Sequence, residues 1–124
     1  MILLVSPHNV VKKTLYVDSF KTDKTNMLLN KHTEIYSEGI NIALMLKILQ
    51  NEPFILTFIG GINGKHVKNY IHVNKLKAEM IHMNRGTYEK LDIVDTASNN
   101  MTTIKDFYSE LETKSMIFFF NAYK

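Results

Sequence analysis

Glycine stands twice where an extended run gives way to a helix-forming one. The first junction is Ser37-Glu38-Gly39-Ile40-Asn41-Ile42-Ala43, and about twenty residues later comes Ile59-Gly60-Gly61-Ile62-Asn63-Gly64. The first turn of a helix has backbone N–H groups without intrahelical partners, so such junctions can face an anion or a hydroxyl-bearing ligand. The structural alternative is a tight strand-to-helix turn at Gly60, Gly61 and Gly64, with Asn41 serving only to cap or satisfy backbone at a helix start.

The pattern around these junctions predicts the elements. Residues 1–6 form a short apolar run, read as a buried strand. Residues 12–17 and 26–35 favour extended structure and flank the turn-rich Asp18-Ser19-Phe20-Lys21-Thr22-Asp23, which predicts a hairpin. Residues 40–49 are apolar almost all round, predicting a helix buried on most sides. Residues 54–59 are a β-rich run, and 64–76 read as a helix with Val67, Tyr70, Ile71 and Asn74 on one stripe. Residues 78–83 and 87–94 read as strands and 96–100 as a loop. A helix is predicted over 103–114, capped by Thr102 or Thr103, with Ile104, Phe107, Tyr108 and Leu111 at i, i+3, i+4 and i+7. Met116-Ile117-Phe118-Phe119-Phe120 reads as a strand covered on both faces. Strand, helix and strand in alternation predict an α/β fold, a partial Rossmann-like, mostly parallel sheet with flanking helices.

Composition narrows the function classes. The 124 residues are one domain's worth, 45% hydrophobic and 22% charged, an ordinary globular balance. No apolar run approaches the roughly 20 residues a membrane helix needs. The first residues carry no basic segment or cleavage site of a secretory signal, and there is no cysteine, which together predict a cytoplasmic protein. A net charge of +3 is spread over scattered lysines, more like a solvated surface than a nucleic-acid footprint. Asp18, Asp23 and Asp92 with Lys12, Lys13 and Lys90 are expected to be solvated charges. The five histidines (His8, His32, His66, His72, His82) include no i, i+4 pair with an acidic companion, so no metal site is expected.

The two glycine motifs, at this separation and in this order, resemble the N-terminal half of a ribokinase-like (PfkB-type) carbohydrate kinase. The closest branch is the 1-phosphofructokinase and tagatose-6-phosphate kinase group. Residues 5–20 parallel the opening strand, the substrate-binding N-P-x-I-D segment and the first lid strand, with Val17-Asp18-Ser19-Phe20 agreeing best. Residues 36–43 parallel G-G-K-G-x-N-x-A, and Gly60-Gly61-x-x-Gly64 parallels the next glycine-rich turn. Gly86-Thr87 falls at the T-R-x-N lid strand. The resemblance implies ATP- and magnesium-dependent phosphorylation of a phosphosugar, with the nucleotide site and catalytic Asp in a C-terminal half. It also implies a small β-strand lid, here about residues 12–35 and 87–94, that often mediates dimers, beside an α/β core from 1–6, 39–83 and 103–121.

Several positions depart from that pattern. The sugar-binding Asp falls on Lys12 and the Asn-Pro before it on His8-Asn9. The signature's glycines fall on Tyr36 and Ser37, its lysine on Glu38, and the lid's Arg and Asn on Tyr88 and Lys90. A lysine cannot accept hydrogen bonds from sugar hydroxyls, and the bidentate phosphate clamp is lost. The remaining, vestigial substrate set is Gly39, Asn41, Gly60, Gly61 and Gly64, with Lys12 and Lys90 standing at former ligand positions. No catalytic, cofactor-binding or metal residue is expected within the chain. The sequence thus predicts a truncated or degenerate sugar-phosphate kinase without turnover alone. The alternatives are a homo-oligomeric interaction module, one piece of a split kinase whose partner is the missing half, and, last, a small basic nucleic-acid binder.

Overall fold

The computed structural model describes residues 2–107. In chain order its elements are β1 (Ile2–Ser6), β2 (Val10–Val17), β3 (Leu28–Tyr36), α1 (Glu38–Ile48), β4 (Pro53–Ile59), α2 (Gly61–Val73), β5 (Lys77–His82), β6 (Tyr88–Asp95) and β7 (Met101–Lys105). They build two sheets. The core sheet, ordered β1-β4-β5, is wholly parallel; the lid sheet is ordered β3-β2-β6-β7. Within the lid β2 pairs parallel with β6, while β2–β3 and β6–β7 are antiparallel.

The core sheet follows from local chemistry. The β4 sequence PFILTFI is β-branched and aromatic, and five of its residues in succession, Ile55 to Ile59, are buried. Its alternate residues Ile55 and Ile59 face the helices and pack with Ile40, Ala43, Val67, Ile71 and Leu76. Val11 of β2 belongs to the same cluster, so the lid is rooted in the core. On the opposite face Leu56, Phe58 and Ile81 form a second cluster with Met83.

Caps fix where α1 begins. Ser37 is its N-cap, its hydroxyl accepting from Ile40 N–H, and Glu38 in the first turn complements the helix dipole. The C-termini of the helices use an unexpected device. Gln50 and Lys75 adopt φ values of 64° and 55°. Asn51 and Leu76 then donate to the carbonyls of Leu46 and Ile71, while Gln50 and Lys75 donate to Lys47 and His72. These are the paired bonds of a Schellman ending, made without the glycine that usually supplies it. Lys47 Nζ donates to Asn74 O at 2.6 Å and thereby ties the ends of the two helices together.

Three expectations need correction. α1 is not buried on most sides: only Gly39, Ile40 and Ala43 are, while Ile42, Met45, Ile48 and Leu49 are exposed. Similarly, β1 is apolar but sits at a sheet edge, with only Ser6 buried. Apolar composition marks a surface fit to be covered; it does not say that anything covers it. The helix predicted from Thr103 begins instead as strand β7, which pairs with β6 in the register Asp92↔Thr103. Thr102, Thr103 and Ile104 are β-branched and stiff at χ1, and an adjacent strand rewards that more than an isolated helix would. Residues 103–105 therefore belong to the lid sheet rather than the α/β core. The remainder of that predicted helix, 108–114, and the run 116–120 lie outside the described residues.

Candidate functional site

The two sheets meet at the C-terminal ends of β1 and β4, and a buried asparagine joins them there. Asn9 Nδ2 donates to Thr57 Oγ1 at 2.8 Å and to Phe58 O at 3.0 Å, while Thr57 Oγ1 donates to Ser6 O. Beside this hinge lies an open cleft of about 540 Å³, lined by Ser6, Pro7, His8, Tyr36, Ser37, Glu38, Gly39 and apolar residues of β1, β2 and α1. Gly39 forms part of its wall. The Gly39 N–H donates to Ser6 Oγ at 3.3 Å, so the hydroxyl of β1 occupies a donor that a ligand could have used.

The second glycine motif is a packed turn. Gly60 N–H donates to Thr87 Oγ1 at 3.0 Å, and Gly60 O accepts from both Gly64 N–H and Thr87 N–H. Gly61 has φ +61°, a left-handed conformation that glycine adopts without steric cost. The turn borders a separate hollow of about 400 Å³ with Lys65, Lys68 and His82. Asn41 opens onto a third groove, of about 470 Å³, between β3 and the helices, shared with Glu34, Tyr36, His66, Asn69 and Tyr70. The seven residues selected from the sequence thus divide among separate places.

Besides the glycines of the second turn, Lys12 and Lys90 converge, and they converge on a carboxylate. Asp92, 1% exposed, lies 3.6 Å from Lys12 Nζ and 3.8 Å from Lys90 Nζ. Thr103 Oγ1 donates to it at 2.7 Å, and Lys12 also reaches Glu34 at 3.4 Å. The expectation that Asp92 is a solvated lid charge is therefore wrong, because β6 is an inner strand whose neighbours both supply partners. The Thr103 hydroxyl, and then the Lys90 and Lys12 charges, hold the Asp92 carboxyl below its ordinary value against the opposing effect of burial. Glu34, and to a smaller extent Asp92, raise the Lys12 ammonium. Farther along, Lys13 at 2.8 Å lowers the Glu89 carboxyl.

A group whose carboxyl is depressed in the folded chain stabilises it above the unfolded value and loses that contribution as pH falls through the folded value. The wild type should therefore lose lid stability below about pH 4 as Asp92 protonates. Asp92→Asn should be less stable at pH 7, with a shallower further loss on acidification. Urea midpoints measured from pH 7 to pH 3 check this; parallel curves for the two proteins would contradict it.

Sequence reasoning gave Asn9, Thr87 and Thr103 other roles and did not single out Arg85. Arg85 lies over the Tyr88 ring at 4.9 Å and donates from Nη2 to Phe107 O at 2.7 Å; on Tyr88 also rests the His8 ring, at 6.0 Å. Gly86-Thr87 was the nearest signal, since its position after β5 marked the segment that closes on Gly60. No cluster of three His, Asp or Glu side chains able to hold a metal ion occurs among the described residues. No helix among them is long and apolar enough to cross a membrane.

This arrangement of a parallel core sheet and a four-stranded lid is that of the N-terminal half of ribokinase-like kinases. A putative phosphofructokinase from Staphylococcus aureus superposes with a TM-score of 0.87 at 20% identity, over 98% of this chain and 39% of that one. Phosphofructokinase-2 from Escherichia coli, solved with fructose-6-phosphate, gives 0.78 at 13% identity over 98% and 40%. A nucleoside kinase from Methanocaldococcus jannaschii, an archaeal member of the ribokinase family, gives 0.64 at 16% over 85% and 36%. The chain thus spans about 40% of the length of the phosphofructokinases it matches. No protein-family model matches the sequence, and no curated protein does.

Proposed function

We propose that this chain is the sugar-side part of a phosphosugar-kinase scaffold, derived from the 1-phosphofructokinase type, that carries out no phosphoryl transfer by itself. The observation that carries this reading is the pairing of a kinase-like lid and core with lid lysines already engaged by Asp92 and Glu34. Phosphoryl transfer requires metal, positioning and charge stabilisation together. The resemblance assigns ATP, magnesium and the general base to a C-terminal half. Such a chain acts in the cytoplasm, either as a pseudoenzyme or as one piece of a split kinase. The second role is favoured by the apolar residues that β1 and α1 leave exposed. Scattered charge argues against a nucleic-acid role.

The test is purified chain incubated with ATP, magnesium and, separately, fructose 6-phosphate, fructose 1-phosphate and tagatose 6-phosphate. ADP release at the rate of buffer alone is expected. Sugar-dependent turnover with any of the three would overturn the proposal.

A further inference from the structure

Among the described residues the chain passes between core and lid three times, at residues 7–9, at Ser37 and at residues 83–87. Each passage is tied to the core by a buried polar side chain. Asn9 donates through Nδ2 to Thr57 Oγ1 and Phe58 O. Ser37 Oγ lies 3.4 Å from Ser6 Oγ, which also accepts from Gly39 N–H. Thr87 Oγ1 accepts from Gly60 N–H, and Thr87 N–H donates to Gly60 O. In the same passage Met83 N–H donates to Ile59 O, and Asn63 Nδ2 donates to Thr87 O at 3.2 Å. On the core sheet the partners are Ser6 and the consecutive residues 57–60, and Ser6 stands opposite Thr57 in the parallel ladder. One end of the sheet thus anchors all three passages. Of the seven polar or charged residues buried among those described, five stand here: Ser6, Asn9, Ser37, Thr57 and Thr87. Buried hydrogen bonding is therefore concentrated at the joint and not inside either layer.

We propose that the lid is locked to the core in one orientation, with Asn9, Ser37 and Thr87 as its pins, so that the neighbouring cleft neither opens nor closes by lid movement. A swing of the lid would have to part these groups. A buried donor or acceptor left without a partner costs more than its bond contributes net. Domains that swing do so on a few residues free to change φ and ψ, and here every described passage is held. Asn9 shows how specific a pin is. The Thr57 hydroxyl gives its proton to Ser6 O, and Phe58 O can only accept, so both need a donor from Asn9. An ionised carboxylate of the same shape has none to offer. The inference does not depend on the kinase reading.

Residual dipolar couplings of the full chain test it, fitted separately for the core (β4, β5, α1, α2) and for the lid (β2, β3, β6). The wild type should give one shared alignment tensor. The double variant Asn9→Asp, Thr87→Val should lose it, with couplings still consistent inside each part but the lid aligned more weakly than the core. Thr103→Val, which removes a bond within the lid, should keep the shared tensor. A wild type whose lid and core need different tensors overturns the proposal. So does a double variant that keeps a single tensor, or a Thr103→Val that loses it. If the double variant does not fold, Thr87→Val alone should show the same separation to a smaller degree, and an unchanged shared tensor there overturns the proposal equally.

Discussion

Gly60→Ala should be among the most damaging single-methyl changes this chain can carry, costing about 3 kcal/mol or more of stability. The reason is steric and not conformational. Gly60 has φ −163°, extended backbone that any residue adopts. A Cβ there, however, would lie 1.9 Å from the Arg85 carbonyl oxygen and 2.9 Å from that of Met83. Both obstacles are backbone, so neither can rotate away. The segment would have to retreat from β4, losing the bonds between Gly60 and Thr87 in both directions. Gly86→Ala is the matched control. Nothing lies within 4 Å of a Cβ at Gly86, and its effect should stay within about 0.5 kcal/mol. Urea denaturation of the pair decides; comparable midpoints for the two variants would show that the turn does not pack as described.

Phe58→Ala should cost about 3–5 kcal/mol, the range for a large aromatic removed from a close-packed site. Phe58 is 1% exposed and is the largest fully buried side chain among the described residues. It packs with Leu56, Ile81 and Met83 on the sheet face away from α1 and α2. The same residue's carbonyl accepts from Asn9, so collapse around the cavity would disturb the hinge between core and lid. Phe58→Leu should recover more than half of the loss, because most of the apolar volume returns. If Phe58→Ala unfolds with a midpoint near that of wild type, the second face is not part of the cooperative core.

The sequence revealed what is local. The two strand–glycine–helix junctions, the hairpin of β2 and β3, and strands β4 to β6 all follow from periodicity and turn chemistry within a few residues. What remained hidden depends on distant partners. Asp92 looks like any surface carboxylate until register places Thr103 beside it and brings Lys12 and Lys90 within ion-pair reach. β7 looked helical because Ile104 and Phe107 satisfy a helical spacing, yet they straddle the end of a strand. The helix C-termini lacked their usual glycine signal because Gln50 and Lys75 take the left-handed conformation themselves. The exposed stripe of α1 was illegible for another reason, since hydropathy cannot tell a covered face from one awaiting cover.

The candidate site was legible to a lesser degree. The resemblance located the right elements, and the chain folds as the N-terminal half of a kinase of that kind. It could not foresee that most of the positions it marked for a substrate are engaged by partners within the chain. Gly39 is bonded to Ser6, the Gly60 turn to Thr87, and Lys12 and Lys90 gather on Asp92. Asn41 opens onto a different groove, bordered by Glu34 and Tyr36.

Calorimetric titration of the full chain with fructose 6-phosphate at low ionic strength, where a phosphate–lysine attraction would be least screened, bears on this most directly. With Lys12 and Lys90 engaged by Asp92 and Glu34, the account predicts only heats of dilution. Saturable one-to-one binding that disappears in Lys12→Met or Lys90→Met would mean those ammonium groups still serve a ligand, and the account would be wrong.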